Sequence, residues 1–112
     1  MPKPVNRTYS RHALETMSLL GKMIRIARLE RRLTTTDVAA RAGISRSLLQ
    51  RIEHGDPGSS LGAVFETATI VGVVLFEADR SRLTTHSAHA ETKLALLPRA
   101  ARAPRTEVKD AF

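Results

Sequence analysis

The stretch TTTDVAARAGISRSLLQRIEHG, residues Thr34–Gly55, decides the fold of this chain. Thr34 followed three positions later by Asp37 is a capping-box pattern, with Asp in the place of the more common Glu. We predict that the helix it starts spans Thr35–Ala42. Gly43 follows this helix, and glycine readily takes the left-handed conformation in which many helices end.

The second half of the stretch predicts another short helix. Ser45 is a preferred N-cap residue, so we expect a helix over Arg46–His54, ended by Gly55. The small side chains of Ala39 and Ala42 allow the two helices to cross closely. The stretch is therefore predicted to form two short helices joined by a tight turn.

The second of these helices carries an outward polar face made of Arg46, Ser47, Gln50 and Arg51. An arginine can donate two hydrogen bonds to a guanine edge, and a glutamine can pair in the same way with adenine. The N-terminus of the helix carries positive partial charge, which favours a groove lined with phosphates. These four residues are the candidates for reading bases in double-stranded DNA.

The start of the helix predicted over Thr35–Ala42 and the net charge of the chain also indicate a DNA partner. Thr35 and Thr36 at its start, together with Arg41, suit contacts to backbone phosphates, which position a protein without reading sequence. Seven arginines lie between Arg25 and Arg51 against two acidic residues, and the whole chain has a net charge of +7. A basic excess within the motif itself suits a polyanionic partner.

Two other interpretations fit the same residues. A generic pair of helices with a solvated charged face would carry the same charges, but here the turn, caps, core pattern and polar face all agree with DNA binding. A protein-interaction module that kept the fold and lost DNA binding is the alternative from another functional class. No residue pattern supports an enzyme.

Further helices are predicted on both sides of the motif. Apolar periodicity predicts a first helix over about residues 11–33. Ser59 or Ser60 caps a fourth helix that runs to about Val71. Residues 73–76 are apolar and begin with two β-branched valines, and periodicity leaves a strand and a short fifth helix open over 73–77.

The predicted fold is all-α, a compact bundle of four or five helices. We expect a flexible N-terminal arm over residues 1–10 and a DNA-binding domain over residues 11–79. Residues 80–112 are predicted to be a basic, mostly flexible tail with a helix near Ala88–Leu97. Only 4% of residues are aromatic, so the core must be aliphatic and small, which favours a homodimer.

Composition excludes several classes of protein. The absence of cysteine rules out a disulfide framework, a thiolate zinc site and a cysteine nucleophile. We find no apolar run of membrane-spanning length and no secretory signal, so the expected location is the cytoplasm. His86 and His89 have the spacing of two metal ligands, but no third ligand accompanies them. We therefore expect no metal and no cofactor.

The segment LGKMIRIARLERRLTTTDVAARAGISRSLLQRIEHGDPGSSL resembles the phage-repressor or Cro-like helix-turn-helix family, and the resemblance covers about residues 19–76. It implies a bundle of four or five helices whose third helix enters the major groove. The base-reading positions of the family fall on Arg46, Ser47, Gln50 and Arg51. The same resemblance places a phosphate contact on Thr35 and a structural ion pair on Arg28 and Glu53.

A narrower resemblance covers nearly the whole chain. YSRHALETMSLLGKMIRIARLERR, HGDPGSSLGAVFETATIVGVVLFEADRSRL and LALLPRAARAPRTEVKDAF look like the antitoxins of the HipB type. This implies a homodimer that represses its own operon from operator DNA and neutralises a HipA-like serine/threonine kinase toxin. In some relatives the segment matching 73–77 pairs as a strand across the dimer. A stand-alone regulator without a toxin is the alternative.

Overall fold

The computed structural model describes residues 8–101 of the chain. Within that range it contains helices and no strand, so the all-α prediction is confirmed. The chain divides into two compact units: the first ends at Leu75 and holds four helices, and the second begins at Phe76 and holds the fifth. The helices are α1 (Arg11–Glu30), α2 (Thr35–Ala42), α3 (Arg46–Glu53), α4 (Leu61–Val71) and α5 (Arg80–Leu96).

The predicted caps of the central helices are confirmed. At the start of α2 the Thr34 hydroxyl accepts a hydrogen bond from the Asp37 amide, and the Asp37 carboxylate accepts one from the Thr34 amide. Gly43 ends α2 in the left-handed region, at φ 70°. Ser45 caps α3, and of the two candidates before α4 it is Ser60 that caps the helix.

Helix α1 ends earlier than the sequence predicted. The expected range was about 11–33, but the helix stops at Glu30, because Arg32 takes a positive φ of 57°. The Leu33 amide then donates to the Arg28 carbonyl at 3.0 Å, which closes the turn before α2. Helix α3 is also one residue shorter than predicted, since His54 is its C-cap rather than its last helical residue.

The core of the first unit is aliphatic and receives side chains from all four of its helices. Ile24 comes from α1 and fills the centre with no exposed surface. This composition agrees with the prediction made from the low aromatic content. The remaining buried hydrophobic residues are Val38 and Ala39 of α2, Leu49 and Ile52 of α3, and Ala68 and Val71 of α4.

Helix α1 approaches α3 at a glycine. A Cβ added at Gly21 would lie 2.6 Å from the carbonyl oxygens of both Ile52 and Glu53. Gly21 is buried, so only a residue without a side chain allows the backbones to come this close. The contact fixes the C-terminal end of α3 against the middle of α1.

Residues 73–79 form neither of the structures that the sequence left open for 73–77. They are irregular, with bends, and carry no strand. The Val73 amide donates to the Ala68 carbonyl at 2.8 Å, which continues the turn that Gly72 makes at φ 87°. A strand that pairs across a dimer, as in some relatives, stays a prediction, because it requires a second copy of the chain.

Helix α5 begins earlier than predicted. The sequence predicted a helix only near Ala88–Leu97, whereas the observed helix starts at Arg80, where Asp79 accepts a hydrogen bond from the Ser81 amide. The early start follows from this cap, since the first turns of α5 carry too few apolar residues to show a period. Parts of the predicted arm (1–7) and tail (102–112) lie outside the described residues.

Replacing Thr67 with valine is expected to raise the free energy of unfolding by about 1 kcal/mol. Thr67 is fully buried in α4, and its hydroxyl has no hydrogen-bond partner among residues 8–101. Valine has nearly the same shape without the unpaired hydroxyl. Urea unfolding measures the change. Thr69→Val is the control, since the Thr69 hydroxyl is exposed and bonded to the Phe65 carbonyl; equal effects of the two changes would contradict the argument.

Candidate nucleic-acid interface

Helix α3 is held from its inner side. Leu49 and Ile52 are buried in the core, and Leu48 is half-buried beside them. At the start of the helix the Ser45 hydroxyl accepts a hydrogen bond from the Leu48 amide at 3.0 Å. Burial of one face and a cap at the first turn leave the opposite face of α3 directed at solvent.

That outward face holds the four residues predicted to read bases. Arg46, Ser47, Gln50 and Arg51 are all exposed. Their spacing of one, three and one residues places them side by side over two successive helical turns. The side chains are therefore available together to a surface that meets α3.

A buried ion pair joins α1 to α3. The Arg28 guanidinium donates to the two carboxylate oxygens of Glu53 at 2.7 and 3.1 Å, and a third hydrogen bond of 3.1 Å reaches the Leu33 carbonyl. The two side chains are only 10% and 5% exposed. Their charges are thus used inside the protein, and the pair fixes the position of α3 rather than facing a ligand.

Helix α2 carries the residues predicted to contact phosphates. Thr36 near its start and Arg41 in its last turn are exposed, while Thr35 is half-buried. Among these residues lies Asp37, whose pKa is lowered chiefly by the hydrogen bond from the Thr34 amide. The Thr34 hydroxyl and the charge of Arg41 lower this pKa further. Asp37 therefore stays ionised and keeps the capping box closed at neutral pH.

The ionised capping box predicts a pH dependence of stability. Because folding lowers the pKa of Asp37, its contribution is present above the ordinary pKa of aspartate and is lost as the pH falls through the folded value. We expect Asp37→Asn to lower the melting temperature at pH 7 and to have little effect in acid. Thermal melts of both proteins across pH measure this. A pH-independent difference would show that the charge is not the cause.

The C-terminal end of α3 shows contacts that the sequence analysis missed. The His54 ring nitrogen Nδ1 lies 2.6 Å from the Gln50 carbonyl oxygen, and Arg51 lies 3.9 Å from the Asp56 carboxylate. Arg51 and Asp56 lie five positions apart across the end of α3, and this spacing was the available sequence signal for the ion pair. Since the Arg51 side chain is 54% exposed and this pair is long, the guanidinium remains free to reach outward.

Exposed positive charge is frequent in the stretch of sequence that contains this face. Of the seven arginines between residues 25 and 51, Arg28 alone is buried. The others are exposed, whereas of the two acidic residues in the same stretch Asp37 is committed to a capping box. The exposed arginines are Arg25, Arg31, Arg32, Arg41, Arg46 and Arg51.

The sequence profile of a helix-turn-helix domain family matches residues 19–83, which is more than half of the chain. The chain therefore belongs to the helix-turn-helix domain family, and this membership makes it a DNA-binding regulator. Comparisons with curated proteins and with solved structures give no significant match.

Two other features are absent from the described part of the chain. Residues 8–101 contain no group of three or more histidine, aspartate or glutamate side chains that could hold a metal ion. No helix in the same range is both long enough and apolar enough to cross a membrane. His86 and His89 lie on α5 with exposed side chains.

Proposed function

We propose that this chain is a transcriptional repressor that binds double-stranded operator DNA as a homodimer and is the antitoxin of a HipA-like serine/threonine kinase toxin. The observation that carries the DNA-binding part is the outward face of α3, where Arg46, Ser47, Gln50 and Arg51 are exposed together. The family match supports DNA binding as such. The narrower antitoxin role is supported by the resemblance of the chain to HipB-type sequences.

Helix α3 enters the major groove in this proposal. Arg46 and Arg51 each donate two hydrogen bonds to a guanine edge, and Gln50 pairs with an adenine. Ser47 adds a hydroxyl that pairs with several bases. The Arg28–Glu53 ion pair supports this arrangement from behind, because it joins the last turn of α3 to the long helix α1.

Contacts from α2 set the register on the duplex. Thr36 and Arg41 are exposed on α2 and bind backbone phosphates, and Thr35 at the helix start adds a hydroxyl or an amide. The N-terminus of α2 contributes its partial positive charge. These contacts carry affinity without sequence preference and make binding sensitive to salt.

A homodimer fits the size of the core and the geometry of DNA. Among the described residues, the core of the first unit has only seven buried hydrophobic side chains, so a partner subunit adds useful stability. Two recognition helices related by a two-fold axis bind half-sites about 34 Å apart on successive major grooves. The operator is accordingly a near-palindrome.

The antitoxin role implies a second partner and a location in the cytoplasm. In this role the chain binds the kinase toxin, and the complex represses the operon that encodes both proteins. The alternative is a stand-alone regulator that binds an operator without any toxin. Both alternatives use α3 in the same way, so a partner must be sought directly.

Co-purification from the native host distinguishes the two. The tagged full chain is recovered after nuclease treatment, so that DNA cannot bridge unrelated proteins, and the accompanying proteins are identified. We expect a HipA-like kinase in stoichiometric amount, with both the unchanged chain and the Arg46→Ala/Arg51→Ala variant. Absence of the kinase, in cells shown to express such a gene beside this one, would leave the stand-alone regulator as the function.

A further inference from the structure

Helix α5 is long for a helix that buries nothing. It has 17 residues, and none of them is buried. Its sequence also includes five serines and threonines, which are weak helix formers. An isolated helix of this length is marginal in water, and most helices of proteins depend on packing of one face. Packing against a partner surface would therefore stabilise α5.

Leu83, Ala90 and Leu94 of α5 lie on one stripe at alternating spacings of four and three residues, with Ser87 as its polar member. The two leucines are 45% and 69% exposed. Leu97 has the next position in this spacing but lies outside the helix, since it is the C-cap and takes an extended conformation. This alternation is the heptad spacing by which one helix packs along another.

Part of the stripe lines an open groove of about 410 Å³ on the surface of α5. The groove lies between Leu83 and Glu91, where the side chains of Ser87 and Ala88 are small. In a two-stranded coiled coil, a side chain of one helix fits between four residues of the other. The groove is open to solvent on the described surface of α5.

We propose that α5 pairs in parallel with α5 of a second copy of this chain, and that this short coiled coil is the dimer contact. The inference rests on the homodimer of the proposed function and names its interface. In this arrangement Leu83 and Leu94 each meet the same residue of the second copy. The small layers at Ser87 and Ala90 let the two helices approach closely.

The charges beside the stripe favour pairing of α5 with a second copy of itself in the parallel orientation. In a parallel pair the position of His86 lies next to Glu91 of the second copy, and the reciprocal contact occurs on the other side. A histidine N–H can donate to the carboxylate there. An antiparallel pair would instead place His86 beside Lys93 of the second copy. Arg80, three residues before Leu83 and in line with the stripe, lies near the second copy's Asp79 in the parallel pair.

Two separate leucine-to-lysine substitutions in the full chain test whether the stripe is the dimer contact. Leu94→Lys puts a charge on the stripe, whereas Leu96→Lys makes the same change at a position off the stripe that is 82% exposed. Sedimentation should show that Leu94→Lys weakens the dimer by at least about tenfold, or about 1.4 kcal/mol, while Leu96→Lys leaves it unchanged. A wild-type chain that stays monomeric, or a Leu94→Lys dimer as tight as the wild type, would overturn the proposal.

Cysteine cross-linking tests the orientation, since the chain has no cysteine of its own. Leu83→Cys should form a disulfide-linked dimer on mild oxidation, and Arg82→Cys, off the stripe, should not. Cross-linking only when Leu83→Cys and Leu94→Cys chains are mixed would show an antiparallel pair and overturn the parallel one. Glu91→Lys should weaken the dimer, and adding His86→Glu should restore it.

The two proposals fail in different ways. If the chain dimerises through another surface, Leu94→Lys will bind a two-half-site duplex like the wild type, and the repressor remains. If the chain dimerises through α5 but binds no duplex, the repressor function is wrong and the interface stands. A Leu94→Lys variant that keeps its affinity for one half-site and loses affinity for two supports both.

Discussion

Arg28→Met is expected to lower the free energy of unfolding by about 3–5 kcal/mol, the range for breaking a buried ion pair from one side. Methionine fills similar space, but it leaves the Glu53 carboxylate buried, with a side chain only 5% exposed, and without its two guanidinium hydrogen bonds. The Leu33 carbonyl also loses a donor. Chemical denaturation monitored by circular dichroism measures the loss.

Two controls separate the missing partner from other effects of the change. Arg11→Met removes an arginine whose side chain is 92% exposed and whose distance to Glu15 is 4.0 Å, so it should cost about 0–1 kcal/mol. Adding Glu53→Leu to Arg28→Met should recover much of the loss, because the unpaired carboxylate disappears. If Arg28→Met costs no more than Arg11→Met, the ion pair does not hold α3 in place.

Gly21→Ala is expected to lower the free energy of unfolding by about 3 kcal/mol, at the upper end of the usual cost of overpacking. The new Cβ would lie 2.6 Å from two backbone carbonyl oxygens, those of Ile52 and Glu53. Backbone atoms cannot rotate away as a side chain would, so α1 and α3 must separate. The same displacement moves α3, and on the proposed function DNA affinity should fall with stability.

Gly62→Ala is the matched control for this change. Gly62 also lies within a helix, but a Cβ added there meets nothing within 4 Å. Alanine is the better helix former, so this variant should be more stable than the wild type by about 0.5–1 kcal/mol. Equal stabilities of the two variants in a thermal melt would show that the close approach of α1 and α3 is not rigid.

The parts of the fold that depend on neighbouring residues were predictable. Thr34 and Asp37 sit three residues apart and close their capping box with each other, and Gly43 ends α2 through its own backbone freedom. The early end of α1 was not predictable in this way. It depends on a left-handed Arg32 and on the hydrogen bond from Arg28 to the Leu33 carbonyl, which forms only with Arg28 buried.

Helix α5 shows a different limit of prediction from the sequence. Its serines and threonines give no strong apolar period, so the sequence predicted only its C-terminal half. Asp79 in front of Ser81 was the available signal for an earlier start, since aspartate is a preferred N-cap residue. Residues 73–77 are apolar enough for a strand, but no neighbouring strand exists among the described residues to pair with them.

The outward face of the candidate site followed from spacing alone. Once α3 is a helix with Leu49 and Ile52 inside, Ser47, Gln50 and Arg51 fall on the opposite face and Arg46 falls at its edge. The Arg28–Glu53 pair joins residues 25 positions apart, so only the family resemblance pointed to it. The distance from Arg51 to Asp56 depends on the conformation after Gly55, which local patterns do not specify.

The most direct test of the account compares the DNA affinity of Arg46→Ala with that of Arg11→Ala. A duplex is first selected from a random pool by the wild-type full chain, and binding is then followed by fluorescence anisotropy at fixed salt. Both variants lose one positive charge, but only Arg46 lies on the outward face of α3. We predict a loss of about 1–3 kcal/mol for Arg46→Ala, with relaxed preference at one base pair, and a much smaller loss for Arg11→Ala. Equal affinities for the two variants would contradict base reading by α3 and favour a protein-interaction module.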